Sequence, residues 1–167
     1  MTGPPEVQRP RPIAVIDIDG VLADVRHRVH HVATQPKDWR AFFAAAPGDT
    51  ILEVGLATVH RLAEVCEIVY LSGRPEWCRR DTLAWFKREN VPSGELHLRP
   101  HNDRRPARIM KVEALDRLSE RAEVTVLVDD DPLVCAAARE AGYDVLPADW
   151  MPEQPTLFEA QEVDGRT

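Results

Sequence analysis

The sequence predicts an α/β fold, a doubly wound parallel sheet, from three observations. Five short strand-length runs recur, the first a continuous β-branched apolar run, helix-length segments lie between them, and two of the runs stop abruptly in acidic clusters. The first run, Ile13-Ala14-Val15-Ile16, is continuously apolar, as a strand covered on both faces must be, and it ends at Asp17-Ile18-Asp19-Gly20. Similar runs follow at 67–71 (EIVYL), 95–98 (ELHL), 124–128 (VTVLV) and 143–146 (YDVL). Helices are predicted over 54–65, 75–90, 108–121 and 132–141. Pro75 and Pro132 directly follow strand ends, where a first-turn proline belongs, and Gly142 stands as the stop of the last of these helices.

Residues 1–12 are polar and proline-rich and read as a flexible N-terminus; residues 13–150 read as the folded domain. Within it, 24–49 form a small cap-like insertion after strand one, containing one amphipathic helix at 37–46 (KDWRAFFAAA). In an open α/β sheet, ligands sit beyond the carboxyl ends of the strands, so an excursion from the end of strand one covers that site. Residues 151–167 form a C-terminal tail; from Pro147 onward the chain is polar and carries three prolines, Pro147, Pro152 and Pro155, as a surface wrap or a mobile end would.

One domain is expected from 167 residues. With 21 Lys+Arg against 28 Asp+Glu the formal charge is 21 − 28 = −7, which excludes a generic nucleic-acid binder held by bulk positive charge but leaves room for a local basic site. Cys66, Cys78 and Cys135 are odd in number and lack zinc-ligand spacing, so a reducing, cytoplasmic location is expected. No signal peptide is expected, and no membrane contact, because no apolar run approaches the roughly 18 residues a span requires.

Two carboxylates, Asp17 and Asp19, leave one strand end close together, and Gly20 lets the backbone turn there. Like charges this close raise one another's pKa unless a cation joins them. Asp and Gly also suit a solvated turn, whereas a calcium loop is disfavoured because Val21 and Leu22 fall where further oxygen ligands are needed. A second cluster, Asp129-Asp130-Asp131, follows strand four, and Asp131 beside Pro132 suits a helix N-cap. Five acids converging on one sheet edge repel unless they hold a cation such as Mg²⁺, which is the implied cofactor. Ser72-Gly73-Arg74-Pro75 places a hydroxyl, backbone amides and a guanidinium at an expected helix N-terminus, an anion-binding end or an ordinary Ser cap. Lys111, one of only three lysines, stands near the start of the helix after strand three.

In this order, Asp17-x-Asp19-Gly20-Val21-Leu22, Leu71-Ser72-Gly73-Arg74, Lys111 and Val128-Asp129-Asp130 resemble the four motifs of the haloacid dehalogenase (HAD) superfamily of phosphatases, across most of residues 13–150. Within it the chain is most similar to the 3′-phosphatase domain of polynucleotide kinase-phosphatases and stand-alone relatives. Arg28 lies eleven residues after Asp17, motif two has the Ser72-Gly73-Arg74 form, Asp103-Arg104-Arg105 precedes Lys111, and Asp129-Asp130 is paired. One position departs: Ala107 stands four residues before Lys111, where that module carries Asp.

The resemblance implies a Rossmann-like HAD fold and a Mg²⁺-dependent phosphomonoesterase working through an aspartyl-phosphate, on a nucleotide or a nucleic-acid 3′-phosphate. Asp17 is then the nucleophile, and Asp19 the acid and later the base, its pKa lifted by the neighbouring acids. Ser72 and Lys111 cradle the transferring phosphoryl group, completing a catalytic set of Asp17, Asp19, Ser72 and Lys111. Mg²⁺ falls to Asp17, the main-chain carbonyl of Asp19, and Asp130, with Asp129 binding through water or orienting Lys111; the strand end at Val128 favours Asp129-Asp130 over Asp130-Asp131 as the metal pair. Substrate-binding roles fall to Gly20, Arg28, Gly73 and Arg74, the arginines being equally suited to ion pairs.

Trp39, Phe42 and Phe43, beside Arg26, His27 and Arg28, suit either a substrate mouth or the buried face of a short helix, with the buried face favoured. Arg99, Arg104, Arg105 and Arg108 suit a phosphate-tracking rim or a solvated loop. A small-molecule 5′(3′)-nucleotidase or sugar phosphatase keeps the same chemistry. A phospho-receiver domain is disfavoured because its acceptor Asp ends a later strand, and a silent HAD scaffold because the chemical set is complete.

Overall fold

A computed structural model describes residues 9–152 and 154–165. Its elements in chain order are β1 (Ile13–Ile16), β2 (Ala23–Asp24), α1 (His30–Ala33), α2 (Trp39–Ala44), β3 (Thr50–Ile51), α3 (Glu53–Val65), β4 (Glu67–Pro75), α4 (Arg79–Arg88), β5 (Glu95–Arg99), α5 (Ala107–Ser119), β6 (Val124–Asp129), α6 (Pro132–Glu140), β7 (Val145–Pro147) and α7 (Pro155–Asp164). The five main strands form one parallel sheet in the order β5-β4-β1-β6-β7.

β1 is central, and its alternation divides the core. Ala14 and Ile16 join Val59 of α3 and Trp85 and Phe86 of α4 on one face. Ile13 and Val15 join Ala114, Leu115 and Leu118 of α5 and Val134 and Ala138 of α6 on the other. Since successive strand side chains point to opposite faces, a strand buried on both sides must be apolar at every position, and all four residues of β1 are buried. This is the doubly wound α/β sheet the sequence predicts.

The excursion after β1 is tied at its neck by a two-stranded antiparallel pairing of β2 with β3. Its expected helix is shorter than 37–46: Asp38 caps α2 by accepting the Ala41 N–H at 2.8 Å, and Pro47 bends the chain into a 3-10 turn at Ala46–Gly48. Phe42 and Phe43 are buried with Val25, Val32, Cys78, Met151 and Leu157, so the buried-face reading holds for them, while Trp39 is half-buried.

Three boundaries differ from the sequence expectation. β4 continues through Ser72-Gly73-Arg74 to Pro75, whose φ of −66° and ψ of 152° suit extended chain, and α4 begins at Arg79 after a 3-10 turn. Pro75 is therefore not a first-turn helix proline, and Ser72-Gly73-Arg74 is a strand end rather than a helix N-terminus. Tyr143 N–H closes back on Ala138 O at 3.0 Å, delaying the last strand to Val145, while Gly142 at φ +94° ends α6 as expected. The tail carries a helix, α7, whose Leu157, Ala160 and Gln161 are buried. Asp164 at its end accepts from Trp39 Nε1 at 2.8 Å and Lys37 Nζ at 3.1 Å, and Glu162 accepts from Arg108 Nε at 3.0 Å. Of the expected flexible N-terminus, residues 1–8 lie outside the described residues; Pro12 O already accepts the Glu67 N–H. Among the described residues no helix is long and apolar enough to cross a membrane.

Candidate active site

The parallel register pairs Ile16 with Val128, so β1 and β6 deliver Asp17 and Asp129 side by side at the same sheet edge. The chain then turns tightly, with the N–H groups of Val21, Leu22 and Ala23 all directed at Ile18 O. Gly20 sits in this turn at φ +78°, and a Cβ there would lie 1.8 Å from Asp130 Oδ2, so only glycine permits both the backbone turn and the approach of Asp130. Asp17, Asp129 and Asp130 bring one carboxylate oxygen each within 4.8 Å of one another. Asp131 also borders the small cavity lined by Asp17 and Asp130 but caps α6, accepting the Leu133 N–H at 2.8 Å, which fixes its role as the N-cap.

Lys111 projects from α5 between two of these acids, its Nζ 3.0 Å from Asp17 Oδ2 and 2.6 Å from Asp129 Oδ2. Burial opposes its charge, but Asp129 and Asp17 outweigh burial and raise its pKa. One lysine does not neutralise three carboxylates. Burial, only partly offset by Lys111 and reinforced by Asp129 and Asp19, pushes Asp17 up to about 7, and burial together with Asp17 and Asp129 raises Asp130 well above the ordinary range. A buried oxygen donor set short of positive charge, with Gly20 making room for Asp130, fits a hard divalent cation.

Asp19 meets a different environment from the one the sequence suggests. Its Oδ1 accepts from Arg28 (2.8 Å) and twice from Arg74 (2.9 and 2.6 Å). Burial works to raise its pKa, yet Arg28 and Arg74 outweigh burial and hold it below the ordinary carboxylate value, opposite to the expected lift by neighbouring acids. Its Oδ2 is buried without a hydrogen-bond partner among the described residues, and Asp19 lines the same small cavity as Asp17, Lys111 and Asp130.

Arg28 and Arg74 are themselves buried, and both also reach Asp49: Arg28 Nε donates to Oδ1 at 2.8 Å, and Arg28 and Arg74 donate to Oδ2 at 2.7 and 3.0 Å. Two arginines and two aspartates thus close a neutral buried ring, with Arg28 4.3 Å above the Phe42 ring and Arg74 donating to Thr82. The guanidinia expected on substrate face Asp19 instead. Asp49 escapes sequence reasoning, being a lone acid in a loop with no motif around it.

β4 sets Ser72 and Gly73 at this edge, both buried; Ser72 Oγ accepts the Arg74 N–H at 3.2 Å and does not line the cavity. Leu157, Phe158 and Gln161 of α7 roof the acids, leaving a space of about 10 Å³, room for one water molecule.

A doubly wound sheet with Asp17-x-Asp19, Ser72, Lys111 and Asp129-Asp130 gathered at one edge defines a phosphatase of the HAD class. Solved structures agree on the fold. A haloacid dehalogenase-like hydrolase from Streptococcus pneumoniae is similar with a TM-score of 0.58 at 12% identity, covering 90% of this chain and 91% of that one. A HAD family enzyme of Bacteroides thetaiotaomicron, in complex with magnesium and inorganic phosphate, matches with a TM-score of 0.52 at 13% identity, covering 89% and 99%. A chain of the Pnkp1/Rnl/Hen1 complex matches with a TM-score of 0.69 at 21% identity, over 85% of this chain but 47% of its own, so the present chain spans about half the length of that relative. No curated protein matches. Residues 11–149 match the polynucleotide kinase PNKP phosphatase domain, and the chain belongs to that family.

Proposed function

We propose that the chain removes the phosphate from nucleic-acid 3′ ends through an aspartyl-phosphate on Asp17. The observation that carries the chemistry is the two-sided environment of Asp19: three arginine N–H groups fix Oδ1, and Oδ2 is left for the substrate's leaving oxygen. The Asp17 carboxylate attacks phosphorus and the bond from phosphorus to the leaving oxygen breaks; because Arg28 and Arg74 keep Asp19 ionised, the proton for that oxygen enters on the monoanionic phosphate ester and passes to it through Asp19 Oδ2. The Asp19 carboxylate then takes a proton from the water that attacks the phosphoryl group, releasing phosphate and restoring Asp17. Arg28 and Arg74 act as positioning residues for Asp19, and Lys111 offers an ammonium beside Asp17 for the charge on the phosphoryl oxygens. Ser72 is assigned to the same phosphoryl group from the edge of β4.

Mg²⁺ suits the site; Asp17, Asp130 and the Asp19 carbonyl would hold it, with Asp129 beside Lys111, and it would supply neutralisation of phosphoryl charge. Family membership supports the 3′-end substrate, and three buried, unpaired thiols support a reducing, cytoplasmic setting. The test is phosphate release from 3′- and 5′-phosphorylated oligonucleotides, 3′- and 5′-mononucleotides and an aryl phosphate, each with Mg²⁺ or EDTA. Selective Mg²⁺-dependent release from the 3′-phosphorylated oligonucleotide is expected; release from mononucleotides alone would overturn the assignment in favour of nucleotide metabolism.

A further inference from the structure

A second concavity of about 180 Å³ opens beside the carboxyl ends of β4 and β5, bordered by Pro75 and Arg99. β5 lies two strands from β1, so this groove begins roughly 10 Å from Asp17 along the same sheet edge. Its walls are aromatic. Trp39 stacks on Phe43 (5.9 Å, 25°), and Phe43 meets Trp77 edge to face (6.4 Å, 86°), holding Trp77 in place with 52% of its surface open. Its rim is cationic: Arg40, His101 and Arg104 are exposed and line it.

The charge pattern distinguishes these arginines from others nearby. In the same segment Arg105 is paired with Asp103 and Glu113, and Arg108 with Glu162. Arg40 and Arg104 make no ion pair among the described residues, in a chain of net charge −7 where acids outnumber bases. Unneutralised guanidinia sharing a groove with an open indole match a strand of phosphates and bases, because phosphodiesters take up the cations while any base offers a π-face.

We infer that this groove binds the single-stranded segment leading to the 3′-phosphate, with a base on Trp77 and phosphodiesters on Arg40 and Arg104. The inference rests on the 3′-end reading above.

The test compares kinetics on a 3′-phosphorylated single-stranded oligonucleotide with those on 4-nitrophenyl phosphate, for the wild type, Trp77→Ala, Trp77→Phe and Arg40→Gln/Arg104→Gln. Trp77→Ala is expected to raise KM for the oligonucleotide by about tenfold, with kcat and the aryl phosphate kinetics unchanged, and Trp77→Phe to restore most of the loss. The double arginine variant is expected to flatten the dependence of log KM on log salt by about 1.4, roughly 0.7 for each phosphate no longer neutralised. Equal losses on both substrates, or an unchanged oligonucleotide KM in a wild type that turns the oligonucleotide over, would overturn the groove alone. A wild type active on the aryl phosphate and inert towards every 3′-phosphorylated oligonucleotide would overturn the 3′-end reading and the groove with it.

Discussion

Asp49→Ala is the sharpest probe of the buried ring. The Asp49 side chain is fully buried and accepts from Arg28 Nε, Arg28 and Arg74 at Oδ2, and His27 Nε2 at 2.7 Å. Truncation leaves Arg28 and Arg74 facing Asp19 alone, a net charge of one in the interior. Breaking a buried ion pair from one side costs about 3–5 kcal/mol, against a total stability on the order of 5–15 kcal/mol. For a chain of this length that lowers Tm by about 10 °C. Urea unfolding followed by tryptophan fluorescence measures it, with Trp85 as an internal reporter because its Nε1 donates to Asp49 O at 2.9 Å. Arg28→Met alone leaves the opposite imbalance, whereas Arg28→Met/Asp49→Ala leaves Arg74 with Asp19, so the double variant should lose clearly less than the sum of the singles. A loss below about 1 kcal/mol for Asp49→Ala at unchanged m, or simple additivity in the double variant, would refute the neutral-ring argument.

The two acids after Asp129 should separate cleanly. Asp131→Ala should lower stability by about 1 kcal/mol through the lost α6 cap while keeping Mg²⁺ dependence, and Asp130→Asn should raise the Mg²⁺ concentration for half-maximal activity with little loss of stability, as melting curves and Mg²⁺ titrations would show. Gly20→Ala should abolish phosphate release, since its Cβ would overlap Asp130 at a positive φ; activity near the wild-type level would contradict the close approach of Asp130 to this turn. Cys66, Cys78 and Cys135 should resist a thiol reagent at pH 8 until denaturant is added, burial having pushed Cys78 and Cys135 up to about 12; rapid labelling of the native chain would count against their packing.

Much of this architecture is written locally. Ile13–Ile16 could be placed because a central parallel strand needs apolar residues at every position, and the acids beyond it could be placed because β1 and β6 must end together. Pro132 and Gly142 marked the ends of α6 through φ restrictions that act at single residues. Pro75 misled because extended chain and a helix first turn share its φ, and the choice between them depended on where Arg74 had to point. The Asp19 environment was illegible for a related reason: Arg28 comes from a 3-10 turn, Arg74 from the end of β4 and Asp49 from the residue before β3, and no sequence spacing encodes that meeting. The helix at Pro155–Asp164 did carry a local signal, a proline at its first turn, Gly165 after it, and Leu157, Ala160 and Gln161 at helical spacing. Its polar composition outweighed that signal, because only the tertiary structure shows that its short apolar face has a cavity to roof.

The central claim is that phosphorus passes through Asp17. Acid-quenching Asp19→Asn after mixing with Mg²⁺ and radiolabelled 4-nitrophenyl phosphate, whose leaving group departs without a proton, tests it with the base of the second step alone removed. Label bound to the protein, mapped to Asp17 and released by hydroxylamine, is expected, with none in Asp17→Asn/Asp19→Asn. Label on any other residue, or undiminished phosphate release by Asp17→Asn, would contradict it.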